Sequence, residues 1–188
     1  MPPTLTCYLK AEDGLVFRAL AEAVYHLLQA QTIDSLSISD LVKRAGVSRA
    51  SFYRHFADKY DLVRAMHRRA LEGSLLRWFQ GVPFQQAVED TWQIFTQHKR
   101  FYRNALISTD VNALGNYIFD ETYSFYREML RLRGVTMDKV QSRELRQYCF
   151  GAVALLSEWI LGEIGEPLEE YMKASIRGLP SFVGDCLK

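Results

Sequence analysis

Apolar residues recur along this chain with a period near 3.6, and almost nowhere with the period of 2 that strands require. Leu15, Ala19, Ala23 and Leu27 form one stripe, which predicts a first helix over about 10–30. Punctuation places the others. Ser37 caps a short second helix, Asp40 holds the capping-box position, and Gly46 ends the helix after Ala45. Ser48 caps a third over 48–55. A fourth starts after Asp58 and runs to about Gln80, where Gly81 and Pro83 stop it. Further helices are expected over 84–98, 101–108, 111–133, 138–161 and 167–187. Pro167 suits the first turn of the last one, and Pro180 should kink or end it. No convincing strand and no hairpin dipeptide interrupts the pattern. The expectation is an all-α chain of about nine helices.

With 188 residues, 48% of them apolar, the chain can bury a sizeable interior as one average domain or two small ones sharing a core. Its formal net charge of +1 hides an asymmetry. Residues 37–77 hold nine basic and four acidic side chains, whereas residues 81–188 hold 12 basic and 14 acidic. A polyanionic partner is therefore expected for the first third only. Cys7, Cys149 and Cys186 are far apart and form neither a zinc spacing nor a disulfide framework, which fits a reduced, cytoplasmic protein. The most apolar stretch, around Phe150 to Leu161, is interrupted by Ser157 and Glu158 and is too short to span a bilayer. The first residues, MPPTLTCYLKAEDG, carry no export signal.

The segment Ser37 to Phe56 is the most informative. It reads as helix, tight turn, helix: Ile38, Leu41 and Val42 face inward, Ala45 is small where two helices approach, and Gly46 supplies the turn. Val47 plugs the angle, and Phe52 and Phe56 anchor the second helix at i, i+4. Arg49, Ala50, Ser51, Tyr53, Arg54 and His55 are left facing outward, small or hydrogen-bonding, with two of them basic. Such a helix can lie in a DNA major groove with its N-terminal residues at the base edges. Arg49 is the best candidate for reading a guanine, since a guanidinium fork matches O6 and N7.

The stretch SISDLVKRAGVSRASFYRHFADKYDLV, residues 37–63, resembles the DNA-binding signature of the TetR family of bacterial transcription regulators. With the first helix included, the likeness covers about residues 10–66. It implies a helix-turn-helix head over 1–56 on a helical body over 57–188 that dimerises and often holds a small-molecule pocket. It also implies roles. Ser37 and Ser48 would touch phosphates, and Arg49, Ala50 and Ser51 would sit at the base-reading end. Tyr53 and His55 would form a phosphate-contacting pair, and Lys59 would reach the DNA backbone. Arg54 is either a further contact or a solvated charge, and Lys43 and Arg44 set the local field.

The body is rich in aromatic residues. Trp78, Trp92, Phe95, Tyr102, Tyr117, Tyr123 and Tyr126 fall at helical spacing, where each is either plain core or the wall of an effector cavity. The stretch FYRNALISTDVNALGNYIFD resembles a branch of the family that includes regulators like the dihydroxyacetone-kinase activator. Arg103, Asn104 and Asn112 are read as capping and loop residues or as ligand contacts. The last two long helices carry apolar faces too broad for one core, including Phe150, Val153, Ala154, Leu156, Trp159, Ile160, Tyr171, Ile176, Phe182 and Val183. They are expected to form a two-fold interface.

An enzyme is not expected, because no phosphate loop, HExxH or nucleophile-elbow motif occurs. Nor is a cofactor or a metal: His26, His55, His67 and His98 lie on separate helices without ligand spacing, and His67 and His98 are expected to be solvated or satisfied. The expected function is a homodimeric repressor of a palindromic operator, released by a small apolar or aromatic effector. The alternative is an activator or interaction module of the same fold controlled by a partner protein.

Overall fold

The computed structural model describes residues 5–163, 165 and 167–187. Its helices are α1 (Leu15–Leu27), α2 (Ile38–Ala45), α3 (Arg49–Tyr53), α4 (Lys59–Glu72), α5 (Phe84–Gln97), α6 (Lys99–Leu106), α7 (Leu114–Leu132), α8 (Lys139–Leu161), α9 (Leu168–Arg177) and α10 (Ser181–Gly184). Short 3-10 turns lie at Leu5–Tyr8, Leu75–Gln80 and Asp185–Leu187. The fold is all-α, and no strand occurs among the described residues. No helix is long and apolar enough to cross a membrane among these residues either.

Three boundaries depart most from expectation, each for a local reason. The first helix begins at Leu15 with Gly14 as its N-cap, and Lys10 to Asp13 form a turn closed by the Asp13 carboxylate on the Lys10 N–H at 2.6 Å. Leu15 is 86% exposed, so it does not belong to the inward stripe. That stripe runs through Leu20, Ala21, Ala23, Val24 and Leu28. The fourth helix stops at Glu72, because Ser74 leaves helical space (φ −137°, ψ −98°) and a 3-10 turn continues the chain to Gln80. The Ser74 side chain is buried and donates to the Ala70 carbonyl at 2.9 Å, satisfying one of the helix's last acceptors. The last segment breaks at Gly178 and Pro180 into α9, α10 and a final 3-10 turn.

One apolar cluster joins the first three helices to the body, through Leu20, Leu41, Phe52, Met66, Phe95, Tyr102 and Ile160 among others. A second is built on the α7–α8 contact, with Phe125, Met129, Leu145 and Cys149 closed off by Val183 of α10. Polar latches reinforce the join. Asn104 of α6 donates from its side chain to the Leu28 carbonyl at 2.8 Å, and its own carbonyl accepts from Ile33 N–H at 2.8 Å. The Tyr25 hydroxyl meets His98 Nδ1 at 2.9 Å, and Cys7 Sγ meets His98 Nε2 at 3.3 Å. Burial pushes the Cys7 thiol up to about 12 and holds His98 below the usual imidazole range, so this pair is neutral. His98 is thus satisfied rather than solvated.

Charges bind α4 to its surroundings. Arg69 pairs with the nearly buried Asp13 at 2.7 Å, Glu72 pairs with Lys10, and Arg68 pairs with Glu121 of α7.

Candidate nucleic-acid interface and body cavity

The turn between α2 and α3 is built as its sequence dictates. Ser37 Oγ accepts the Asp40 N–H at 3.1 Å, and Gly46 ends α2 in the left-handed region at φ 67°, where a Cβ would be strained. Ser48 Oγ then accepts the Ser51 N–H at 3.0 Å and starts α3. Phe52 is fully buried and Phe56 nearly so, which fixes the roll of α3 about its axis. That roll leaves Arg49, Ala50, Tyr53, Arg54 and His55 exposed, with Tyr53 50% exposed.

Ser51 is the exception to the expected outward set. It is 8% exposed, and its hydroxyl accepts from Arg54 at 3.2 Å, so it turns toward α3's own packing rather than to the surface. Ser37 also differs in detail, because its hydroxyl proton is committed to the Asp40 carboxylate at 2.6 Å. Lys59 opens α4 half-buried, and its ammonium donates to the carbonyls of Asp34 and Leu36, both at 2.9 Å. An ammonium has three donors, so one remains for an outside acceptor. Arg49 donates to Ser39 Oγ at 2.8 Å and lies 5.9 Å from the Tyr53 ring centre.

The basic excess is less diffuse than the sequence implies. Arg64, Arg68, Arg69 and Arg77 are each paired with a carboxylate. Lys43, Arg44, Arg49 and Arg54 are exposed and make no ion pair among the described residues. Within residues 37–77 the unbalanced positive charge therefore sits on α2, on α3 and its C-cap Arg54, and on Lys59 at the start of α4.

The body holds a cavity of about 100 Å³ between α4, α5, α7, α8 and α9. Of the aromatic candidates, Trp92, Phe95 and Tyr126 line it. Trp78, Tyr102, Tyr117 and Tyr123 do not. Trp78 packs against Phe79 and Phe125 in the second cluster. Tyr102 stands behind His67, and Tyr117 meets the His67 ring edge-on at 6.2 Å. Tyr123 stacks on Phe119 and bonds Ser142 at 3.1 Å. Five polar wall residues escaped the sequence reading: His67, Thr91, Thr122, Tyr148 and Ser175. His67 is 1% exposed, neither solvated nor fully satisfied: Nδ1 meets the Tyr102 hydroxyl at 3.1 Å, and Nε2 has no partner among the described residues. Burial, helped by the neighbouring Arg68 charge, pulls its pKa down to about 3, so the ring is neutral.

The broad apolar face expected on the last helices is mostly used within the chain, since Leu156, Trp159, Ile160, Tyr171 and Val183 are buried and Val153 and Ile176 line the cavity. What remains outside on α8 is Phe150, 52% exposed and stacked on Phe119 at 4.0 Å, with Gly151, Ala154 and Leu155.

A capped helix-turn-helix with an unpaired cationic surface, set on a larger helical body, defines a DNA-binding regulator. The chain matches the bacterial regulatory proteins of the tetR family over residues 20–66, and a transcriptional regulator C-terminal region over residues 84–177, which alone is half of its length. The protein belongs to the TetR family of DNA-binding transcriptional regulators. Among solved structures it is similar to the dihydroxyacetone kinase operon activator DhaS, with a TM-score of 0.59 at 15% identity over 86% of this chain and 92% of that one. That likeness is one of fold. No curated protein matches the chain.

Proposed function

We propose that the protein is a cytoplasmic, homodimeric repressor of the TetR type, with no catalytic activity, that holds two heads on a palindromic operator and is released by a small effector in the body. The observation that carries this reading is the cluster of unpaired, exposed cations, Lys43, Arg44, Arg49 and Arg54, around exposed Tyr53. Phosphate neutralisation by such groups supplies affinity, and base contacts supply choice of site. In this reading the head is residues 1–56 and the body 57–188. Arg49 and Ala50 face the base edges. Tyr53, His55, Arg54, the Ser48 hydroxyl and the third ammonium proton of Lys59 take phosphates. Ser37 joins them after exchanging Asp40 for a phosphate oxygen, and Ser51 acts by holding Arg54.

Dimerisation through the Phe150–Leu155 stripe of α8 and its neighbour α9 places two recognition helices one DNA turn apart, about 34–36 Å. Gly151 supports close approach, because a Cβ there meets nothing within 4 Å in the single chain. The cavity supports the effector role because α4 serves both sites: His67 lines the cavity, and Lys59 at the other end holds the Asp34 and Leu36 carbonyls of the head. An effector acts only by favouring one spacing of the heads over the other.

The test is fluorescence anisotropy of full-length protein on the intergenic DNA beside its gene, across a salt series. Site-specific binding with a steep inverse salt dependence is expected, and absence of any duplex binding at low salt by a clear dimer overturns the reading. A reporter on the bound site distinguishes repression, expected here, from activation.

A further inference from the structure

The cavity wall is chemically one-sided. Among the described residues no Asp, Glu, Lys or Arg lines it, and most of the surface is Leu, Val, Ile and aromatic carbon. Its hydroxyls are largely spent: Thr91 donates to the Ala87 carbonyl at 2.7 Å, Tyr148 donates to the Ser175 carbonyl at 2.9 Å, and Tyr126 leans on Tyr148 at 3.5 Å. Among the described residues, two buried polar atoms of the cavity-lining side chains are left without partners, His67 Nε2 on α4 and Ser175 Oγ on α9. Buried polar groups are rarely left unpaired, and a pair of them facing one void points to an absent ligand.

The tautomer of His67 follows from its neighbour. Tyr102 is fully buried; its hydroxyl meets His67 Nδ1 at 3.1 Å, and the buried Tyr8 hydroxyl beside it acts on the Tyr102 oxygen as a donor. With Tyr8 on the donor side, the single proton of the Tyr102 phenol goes to Nδ1. Nδ1 therefore accepts, and the neutral ring carries its hydrogen on Nε2. The cavity is offered a donor.

Size narrows the class further. An apolar cavity of roughly 150 Å³ takes benzene. The void here, about 100 Å³, suits a molecule of roughly four to eight heavy atoms by the same measure. An anion is excluded, because a carboxylate would be buried with no cation to meet it.

Resting on the reading of this cavity as the effector site, we propose that its ligand is a compact, uncharged, mainly apolar molecule with one carbonyl-class acceptor oxygen. That oxygen takes the hydrogen of His67 Nε2, and Ser175 Oγ is the second polar contact. Such a ligand completes the hydrogen bonding of α4 from within the body, on the helix that also holds the head.

The test uses the full-length protein and three shape-matched probes: cyclopentanone, methylenecyclopentane and cyclobutanecarboxylate. Calorimetric titration should show the ketone binding at least ten-fold more tightly than the carboxylate. The ratio of ketone to hydrocarbon affinity should fall at least ten-fold in His67→Leu. Histidine-selective nitrogen-15 NMR of the unaltered protein should show His67 protonated at Nε2, with that resonance moving on addition of the ketone and not of the hydrocarbon. This second measurement stands if His67→Leu fails to fold. Binding of none of the probes, equal or tighter binding of the carboxylate, an unchanged ratio in His67→Leu, or the Nδ1–H tautomer each overturns the proposal. Operator affinity measured alongside separates the two levels. Ketone binding without any change in DNA affinity upholds the ligand class and removes the effector role. DNA binding by a protein that takes no probe removes the ligand class and leaves the regulator.

Discussion

The side-chain amide of Asn104 donates to the Leu28 carbonyl across 2.8 Å, tying α6 of the body to the end of α1 in the head. The same residue's carbonyl accepts from Ile33, so one position secures both sides of the turn that follows α1. Asn104→Leu removes the side-chain bond and leaves an acceptor partly buried. A stability loss of about 1–3 kcal/mol is expected, read as a lower urea midpoint with unchanged slope. An unaltered midpoint would show the latch to be energetically idle.

In the proposed DNA-bound arrangement, Arg49 and Tyr53 divide the work of recognition. Arg49→Ala should weaken operator binding by about 1–3 kcal/mol and relax discrimination at one base position. Tyr53→Phe should weaken all duplexes alike. Competition binding against single-base operator variants reads both, and an equal affinity loss on every variant in Arg49→Ala would remove it from the base edges.

Gly46 sits at φ 67° with open space around its missing Cβ. Gly46→Ala therefore meets no clash, only backbone strain of about 1–2 kcal/mol. The unfolding free energy from urea titration should fall by that amount. DNA affinity should fall as well, since the α2–α3 angle depends on this turn.

Acid should loosen the protein through His67. Its folded pKa of about 3 lies below the ordinary imidazole value of 6.5, so the unfolded chain binds the proton first. Stability is then fully present above the unfolded value and is lost as pH falls from about 6.5 toward 3. The slope from one such proton is about 1.4 kcal/mol per pH unit. His98 is shifted the same way by burial and adds to the trend. In His67→Phe the pH dependence of the urea midpoint should flatten, and an unchanged dependence would place the proton elsewhere.

Phe150 is half exposed on α8 beside a glycine and an alanine. Phe150→Asp should convert the dimer to monomer in analytical ultracentrifugation and weaken operator binding at least ten-fold, with the helical spectrum retained. A variant that remains dimeric would move the interface off this stripe.

What could be read from the chain was what is decided locally. Gly46, Ser37 and Ser48 mark the helix ends because caps and left-handed turns depend on a few adjacent residues. Phe52 and Phe56 were legible as anchors because their spacing matches one helical turn. Other features depended on packing that no window of sequence carries. Leu71 to Gln80 contains nothing that forbids a helix as firmly as proline, yet Ser74 turns into the core and breaks it. Tyr123 and Tyr126 are one turn apart on the same helix, but only Tyr126 reaches the cavity; Tyr123 is captured by Phe119 and Ser142. His67 read as an ordinary histidine because its burial is set by residues on α5, α6 and α7. Ser51 looked like a surface position on a short helix, but Phe52 fixes the roll that turns it inward.

The ion pairs on the last turn of α4 have a mechanical consequence. Lys10 and Asp13 grip Glu72 and Arg69 from the segment ahead of α1, while Glu121 grips Arg68 from α7. With both flanks clamped, the rod cannot spin about its long axis without prying charges apart. In the proposed effector mechanism, displacement beside His67 is thereby channelled into sliding or tilting, with the segment around Lys10 and Asp13 carried along as a strut.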